Sequence, residues 1–304
     1  MPAPYSANPS ISRIDLLLIL FVTLAWGFNY SVMKLVVSSY PPATFRALTF
    51  FFGLICIGLY VIYRKESFRI PRGERAAVVK ISIFNMLLWH TGLIFSLTLL
   101  SSGRAAIVGY TMPVWALLAS AIVYKARLTG RAVAGVVLAL AATYLLAVDE
   151  IQQFTGQPLG LVLILSAAIF WGIGNAMIKH TPLTISTAVL NFWSLTISCV
   201  LGFAIAAATE VADWRWPSAI EWAGVFYNSV VAFALGYVAW FTVARKLSAV
   251  TSGLSIMLVP VVAVFGGAFW LSEAITWQDL LALALILAAM AAVLLPGKRD
   301  AVNA

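Results

Sequence analysis

Ten apolar stretches of membrane-spanning length leave this chain few folds to adopt. They run over 14–36, 41–63, 78–100, 103–125, 131–148, 159–180, 184–209, 220–244, 251–272 and 277–296. A helix of about 20 apolar residues crosses a bilayer core. Lipid offers the backbone no hydrogen-bond partner, so only helices or a closed barrel can span it. Barrel strands are about half as long and alternate in polarity. The runs therefore predict helices, and ten of them leave no room in 304 residues for a sizeable extramembrane domain. Only 10% of the residues are charged, against roughly 25% in an ordinary soluble domain. That excludes a soluble enzyme, a disordered chain, a nucleic-acid-binding module and a secreted disulfide scaffold.

The formal charge of +8 does not signal nucleic acid, because the basic residues lie in the gaps between apolar runs. An even number of spans puts both termini on one side. Fifteen of the 19 Lys and Arg fall on that side, and only Lys34, Arg46, Arg104 and Arg215 fall towards the other. Positively charged loops stay inside, so both termini are expected in the cytoplasm of a bacterial cell whose inner membrane the chain crosses repeatedly. The first run is too long for a signal sequence and reads as an uncleaved span. Trp214, Trp216, Trp222, Trp270 and Trp277 are expected to form an outer aromatic belt. Cys56 and Cys199 lie inside apolar runs with no metal-ligand spacing.

The chain repeats itself. Trp26-Gly27-Phe28-Asn29 through Lys34 parallels Trp171-Gly172-Ile173-Gly174 through Lys179 at an offset of 145 residues. Pro113 parallels Pro260 at an offset of 147, which also places His90 on Tyr237. The fold class expected is an all-α polytopic membrane protein of ten transmembrane helices in two inverted five-helix repeats, over 1–150 and 155–304. Five spans per half turn the second half over in the membrane. Inverted repeats mark transporters, with the substrate site near the midplane between halves.

These features resemble a known family. The Trp-Gly pairs, Pro41-Pro42 followed by Arg46, the mid-span Pro113 and Pro260, and Leu271-Ser272-Glu273 followed by Gln278 are similar to the EamA repeats of the drug/metabolite transporter superfamily. Within it the chain looks most like the YddG-type exporters of aromatic amino acids. The resemblance implies export of aromatic or large neutral amino acids, or related metabolites. It departs from the pattern at Asn191, which stands where the first half has Arg46, and at Ala126, which stands where the second half has Glu273.

Candidate substrate-binding residues are the polar and aromatic groups at depth: Trp26, Asn29, Asn85, Trp89, His90, Tyr110, Trp171, Asn175, Asn228 and Tyr237. Indoles normally anchor at interfaces, so midplane Trp26 and Trp171 suggest a wet cavity at the dyad. Trp115 and Trp193 read as packing. His90 is an ionisable group inside a span, which makes it a functional candidate. Pro113 and Pro260 each free a carbonyl, at Gly109 and Ile256, which could bind a substrate ammonium, mark a hinge or be a packing kink; their symmetric placement favours hinges. Arg46, near the outer end of its span, could attract a carboxylate or snorkel to the outer headgroups, and the structural role is the one expected.

No carboxylate sits mid-span, where a proton- or sodium-coupled carrier usually shows one. No phosphate-binding glycine loop and no catalytic set at one depth is present. No cofactor and no metal is expected. The partners are a small-molecule substrate and the lipid bilayer; nothing requires more than a monomer, and the oligomeric state stays open. The reading is a carrier working by alternating access. A carrier of the same superfamily for another metabolite or drug is the alternative. An intramembrane enzyme lacks its catalytic set, and a channel would need a ring of polar residues.

Overall fold

The computed structural model describes residues 12–126, 128–152, 157–244 and 257–294. Ten helices succeed one another: α1 Arg13–Val37, α2 Pro42–Tyr63, α3 Arg72–Leu99, α4 Ser102–Tyr124, α5 Gly130–Gln152, α6 Pro158–His180, α7 Thr187–Thr209, α8 Ala219–Trp240, α9 Val259–Leu271 and α10 Trp277–Leu294. Among the described residues nine of these are long and apolar enough to cross a membrane, and α9 is shorter. The ninth expected span begins at 251, and 251–256, with the Ile256 carbonyl, lie outside the described residues. So do Arg127, Arg245, Lys246, Lys298 and Arg299 of the inner basic set, and the Pro296-Gly297 break.

Local chemistry sets the helix ends. Ser12 and Ser218 form capping boxes with Asp15 and Glu221, and the Ser101 and Ser186 hydroxyls accept main-chain N–H bonds at the starts of α4 and α7. Pro42 and Pro158 occupy first turns, where a missing N–H costs nothing. The helices α4 and α9 end on left-handed residues, Lys125 and Ser272, which are 147 positions apart. That spacing is the repeat offset again.

The two halves are interleaved. The counterparts α2 and α7 pack together, as do α5 and α10, while α1 lies against α8 and α9 and α6 lies against α3 and α4. Each half thus lends its first helix to the other. The Trp-Gly pairs make this possible. A Cβ on Gly172 would lie 2.6 Å from the Ala116 nitrogen, and one on Gly27 would overlap the Val262 side chain. Only glycine lets α6 and α1 approach their partners so closely.

Two irregularities also repeat. The α-helical ladder widens into π-turns over Ser82–Leu88 in α3 and over Tyr227–Leu235 in α8. In α4 the helix breaks at Tyr110–Thr111 and restarts at Met112, with Pro113 in the new first turn. In α9 the turn at Leu258 precedes Val259 and Pro260 in the same way. Several carboxylates near helix ends are engaged there. Arg104 binds Asp149, Glu150 and Asp279, Glu210 accepts the Ala43 and Thr44 N–H bonds, and Glu273 accepts from Ser102. Trp214, Trp216, Trp270 and Trp277 are exposed, and the Trp222 and Trp216 rings lie tilted to each other with centroids 5.4 Å apart.

Candidate functional site

The packing of α1 against α8 brings most of the expected site residues into one cluster. The Trp26 indole N–H donates to the Ala232 carbonyl at 3.0 Å, inside the π-run of α8. A π-turn advances the backbone by one extra residue, a feature frequent at functional sites. The indole ring meets Tyr237 and Trp240 at 5.8 and 6.0 Å between centroids. Tyr237 continues to Phe233 at 6.4 Å, and Phe233 meets the His90 ring at 5.0 Å. His90 is buried against Phe50 and Trp89, and its Nδ1 has no hydrogen-bond partner. Trp89 and the Tyr30 hydroxyl close over Gly109, where a Cβ would lie 3.3 and 3.2 Å from them. Tyr110 lies beside Tyr30, ring centroids 6.4 Å apart.

A polar network borders these rings. Asn228 Nδ2 donates to Asn29 Oδ1 at 2.8 Å, and Asn228 Oδ1 accepts from Arg46 Nη1 at 3.0 Å. Arg46 Nη2 donates to the Met33 sulfur at 2.9 Å. The π-run supplies Asn228, α1 supplies Asn29 and Met33, and α2 supplies Arg46.

Arg46 corrects the sequence expectation. It is 2% exposed and does not snorkel. As the fifth residue of α2 it lies about 6 Å below the helix start, on the face that carries Phe50 one turn later. That face turns inward against α1 and α8, so the side chain cannot reach the headgroups. Among the described residues no carboxylate forms an ion pair with it, whereas buried Arg104 has three. An unpaired buried charge is costly, so the arrangement is unusual. The signal in the sequence was Asn191, which shows that this charge belongs to one half alone. The two π-runs were also missed, because nothing in an apolar run announces a π-turn.

Asn85, Trp171 and Asn175 are joined to one another between α3 and α6. Asn85 Nδ2 donates to the Trp171 carbonyl at 3.4 Å and to Asn175 Oδ1 at 3.5 Å. The ten candidate residues thus divide into a cluster of seven and a looser cluster of three. Trp115 and Trp193 are held by bonds to Thr111 Oγ1 and the Phe68 carbonyl, as packing residues would be. Among the described residues no group of His, Cys, Asp and Glu is placed to hold a metal.

The sequence profile of the EamA-like transporter family matches residues 13–148 and, a second time, residues 158–295. The chain belongs to the EamA-like transporter family. Its fold of ten helices in two repeats fits that family. A transporter of uncharacterised function, YoaV of Bacillus subtilis, is 26% identical over 270 residues, covering 88% of this chain and 92% of its own. A probable amino-acid metabolite efflux pump of Escherichia coli is 25% identical over 288 residues, covering 91% and 93%. One solved crystal structure superposes with a TM-score of 0.66 over 94% of this chain and 98% of its own, at 21% identity, which supports the fold. This EamA chain is a multi-pass membrane protein of a transporter family.

Proposed function

We propose that this EamA protein exports aromatic or large neutral amino acids, and related small metabolites, across a bacterial cell membrane by alternating access without direct use of ATP. The observation that carries the reading is the cluster between α1 and α8, where Trp26, Tyr237 and Trp240 meet a network of Asn29, Asn228 and Arg46. Rings on one side and amide and guanidinium groups on the other suit a solute with an apolar body and a charged head. The relatives named as probable amino-acid metabolite efflux pumps, in Escherichia coli and Salmonella typhimurium, support the same class. A phosphate-bearing solute would call for several cations, and this cluster has Arg46 alone.

The two repeats, 1–150 and 155–304, exchange their first helices, so α1 moves with α8 and α9 and α6 moves with α3 and α4, with Pro113 and Pro260 as hinges at the broken points of α4 and α9. Asn85, Trp171 and Asn175 line the path on the opposite side of the dyad. Both termini face the cytoplasm, so Ser218→Cys labels from outside an intact cell and Arg69→Cys does not; the reverse result overturns the orientation. Flux runs down the substrate gradient with His90 neutral. Accumulation that follows an imposed pH gradient and vanishes in His90→Gln would show a proton-coupled exchanger instead.

The deciding experiment is counterflow in proteoliposomes with a panel of amino acids. Exchange of phenylalanine, tryptophan or leucine supports the reading, and exchange of none of them ends it.

A further inference from the structure

We propose that Arg46 is the carboxylate receptor of this transporter, taking the α-carboxylate of its cargo on the Nε–Nη2 edge of the guanidinium. The identity of the cargo rests on the transport reading above; the recognition of a carboxylate rests on the side chain itself.

A guanidinium has five donors and no acceptor, and it stays charged. At Arg46, Nη1 is used by the Asn228 amide oxygen, Nη2 meets only the Met33 thioether, and Nε has no partner at all. Nε and Nη2 lie on one edge, and two parallel N–H bonds from such an edge fit the two oxygens of a carboxylate. A thioether is a weak acceptor, and methionine is flexible enough to move aside. The edge that binds carboxylates best is therefore the edge left without a strong acceptor. The Phe45 and Phe50 rings flank the guanidinium at 5.9 and 5.8 Å, partly offsetting its charge and excluding water.

A second open atom borders the same ring. His90, 8% exposed, packs its imidazole edge-on against Phe50 and leaves Nδ1 unpartnered. Buried polar atoms are nearly always satisfied, so two orphans flanking one phenylalanine indicate a polar guest. A carboxylate would neutralise Arg46 and complete its donors. The apolar body of the guest would then reach towards Phe233, Tyr237 and Trp26, which continue the contact chain from His90. The twin position in α7 is Asn191, so the repeat supplies no second guanidinium there.

The test compares an acid with its amide. In counterflow of labelled phenylalanine, unlabelled phenylalanine should compete at least about tenfold better than phenylalaninamide or phenethylamine, the scale of a charge-assisted bond. In Arg46→Met the acid should lose about tenfold while the amide stays within about twofold, so that the ratio collapses. In Arg46→Lys the ratio should fall part of the way, because a point charge replaces a planar fork. An unmodified protein that takes amide and acid equally overturns the proposal. So does a ratio unchanged in the variants, which would make Arg46 a packing residue. If Arg46→Met does not fold, the unmodified protein and Arg46→Lys decide the matter. If no aromatic solute exchanges at all, the transport reading fails by itself. Thermal stabilisation of the purified protein by leucine against leucinamide, and by benzoate against benzamide, then reads the receptor directly. A preference for the acids in those pairs upholds it, and no preference overturns it.

Discussion

The two sides of the pseudo-dyad share a scaffold and differ in chemistry. Where α1 meets α8, the Trp26 indole is bonded to Ala232, Asn29 is bonded to Asn228, and Asn228 holds Arg46. Where α6 meets α3, Gly174 stands in the place of Asn29, and a Cβ on it would lie 2.6 Å from the Asn85 Cβ. There the bonds of Asn85 run to 3.4 and 3.5 Å, and Asn191 replaces the arginine. One side is charged and tightly bonded; the other is neutral and packed through glycine. Symmetric packing lets two repeats exchange contacts, while a single guanidinium gives the site one polarity.

The largest break in this comparison should come from the shared scaffold. Gly172→Ala drives a methyl group into the Trp115 and Ala116 main chain, which cannot yield, and should cost about 1–3 kcal/mol or more by overpacking. Gly27→Ala should do the same against Val262. Melting of the purified protein in detergent measures both, and a wild-type melting temperature in either variant would mean that the close approach of α1 or α6 is not needed.

Next come the two indoles. Trp26→Ala and Trp171→Ala should each abolish or strongly reduce transport with membrane expression intact. Normal transport in both would remove the aromatic site. Phenylalanine at the same positions sharpens the contrast. Trp26→Phe removes the bond to the Ala232 carbonyl and should cost about 0.5–1.5 kcal/mol, read as a several-fold slower exchange. Trp171 enters the Asn85 bonding through its main-chain carbonyl, which phenylalanine retains, so Trp171→Phe should change exchange less.

The charged position and its twin give a smaller, cleaner comparison. Asn191→Ala should leave the acid-to-amide preference within about twofold of wild type, the range of substitutions that break no special contact. A collapse of that preference in Asn191→Ala would mean that both halves read the carboxylate. The smallest effect is expected at Gly202, where a Cβ would sit 3.4 Å from the Phe50 ring, an ordinary contact. Gly202→Ala should raise stability by up to about 1 kcal/mol through helix propensity.

Much of this architecture was legible in the chain. The apolar runs located the helices within a few residues, except that α3 begins at Arg72 rather than 78, because a short 3₁₀ turn leads into it, and that the start expected for the ninth span, at 251, lies outside the described residues. The serine caps and, at other helices, the first-turn prolines mark helix starts through local chemistry alone. The doubled Trp-Gly and proline positions announced two repeats, since an offset can be read without any contact. Seven of the ten candidate residues do meet, because depth in a span follows from counting along a helix.

What the chain by itself determined is the set of properties that depend on local periodicity and on lipid: helices, their number, their breaks and the depth of each side chain. What only the tertiary structure decided is which faces turn towards each other. The π-run in α8 presents Asn228 and Ala232 to α1. The same fit turns Arg46 inward to Asn228 instead of outward to headgroups. A hydropathy pattern is blind to both, because rotation about a helix axis in an all-apolar run leaves the pattern unchanged, and only interhelical packing selects one rotation.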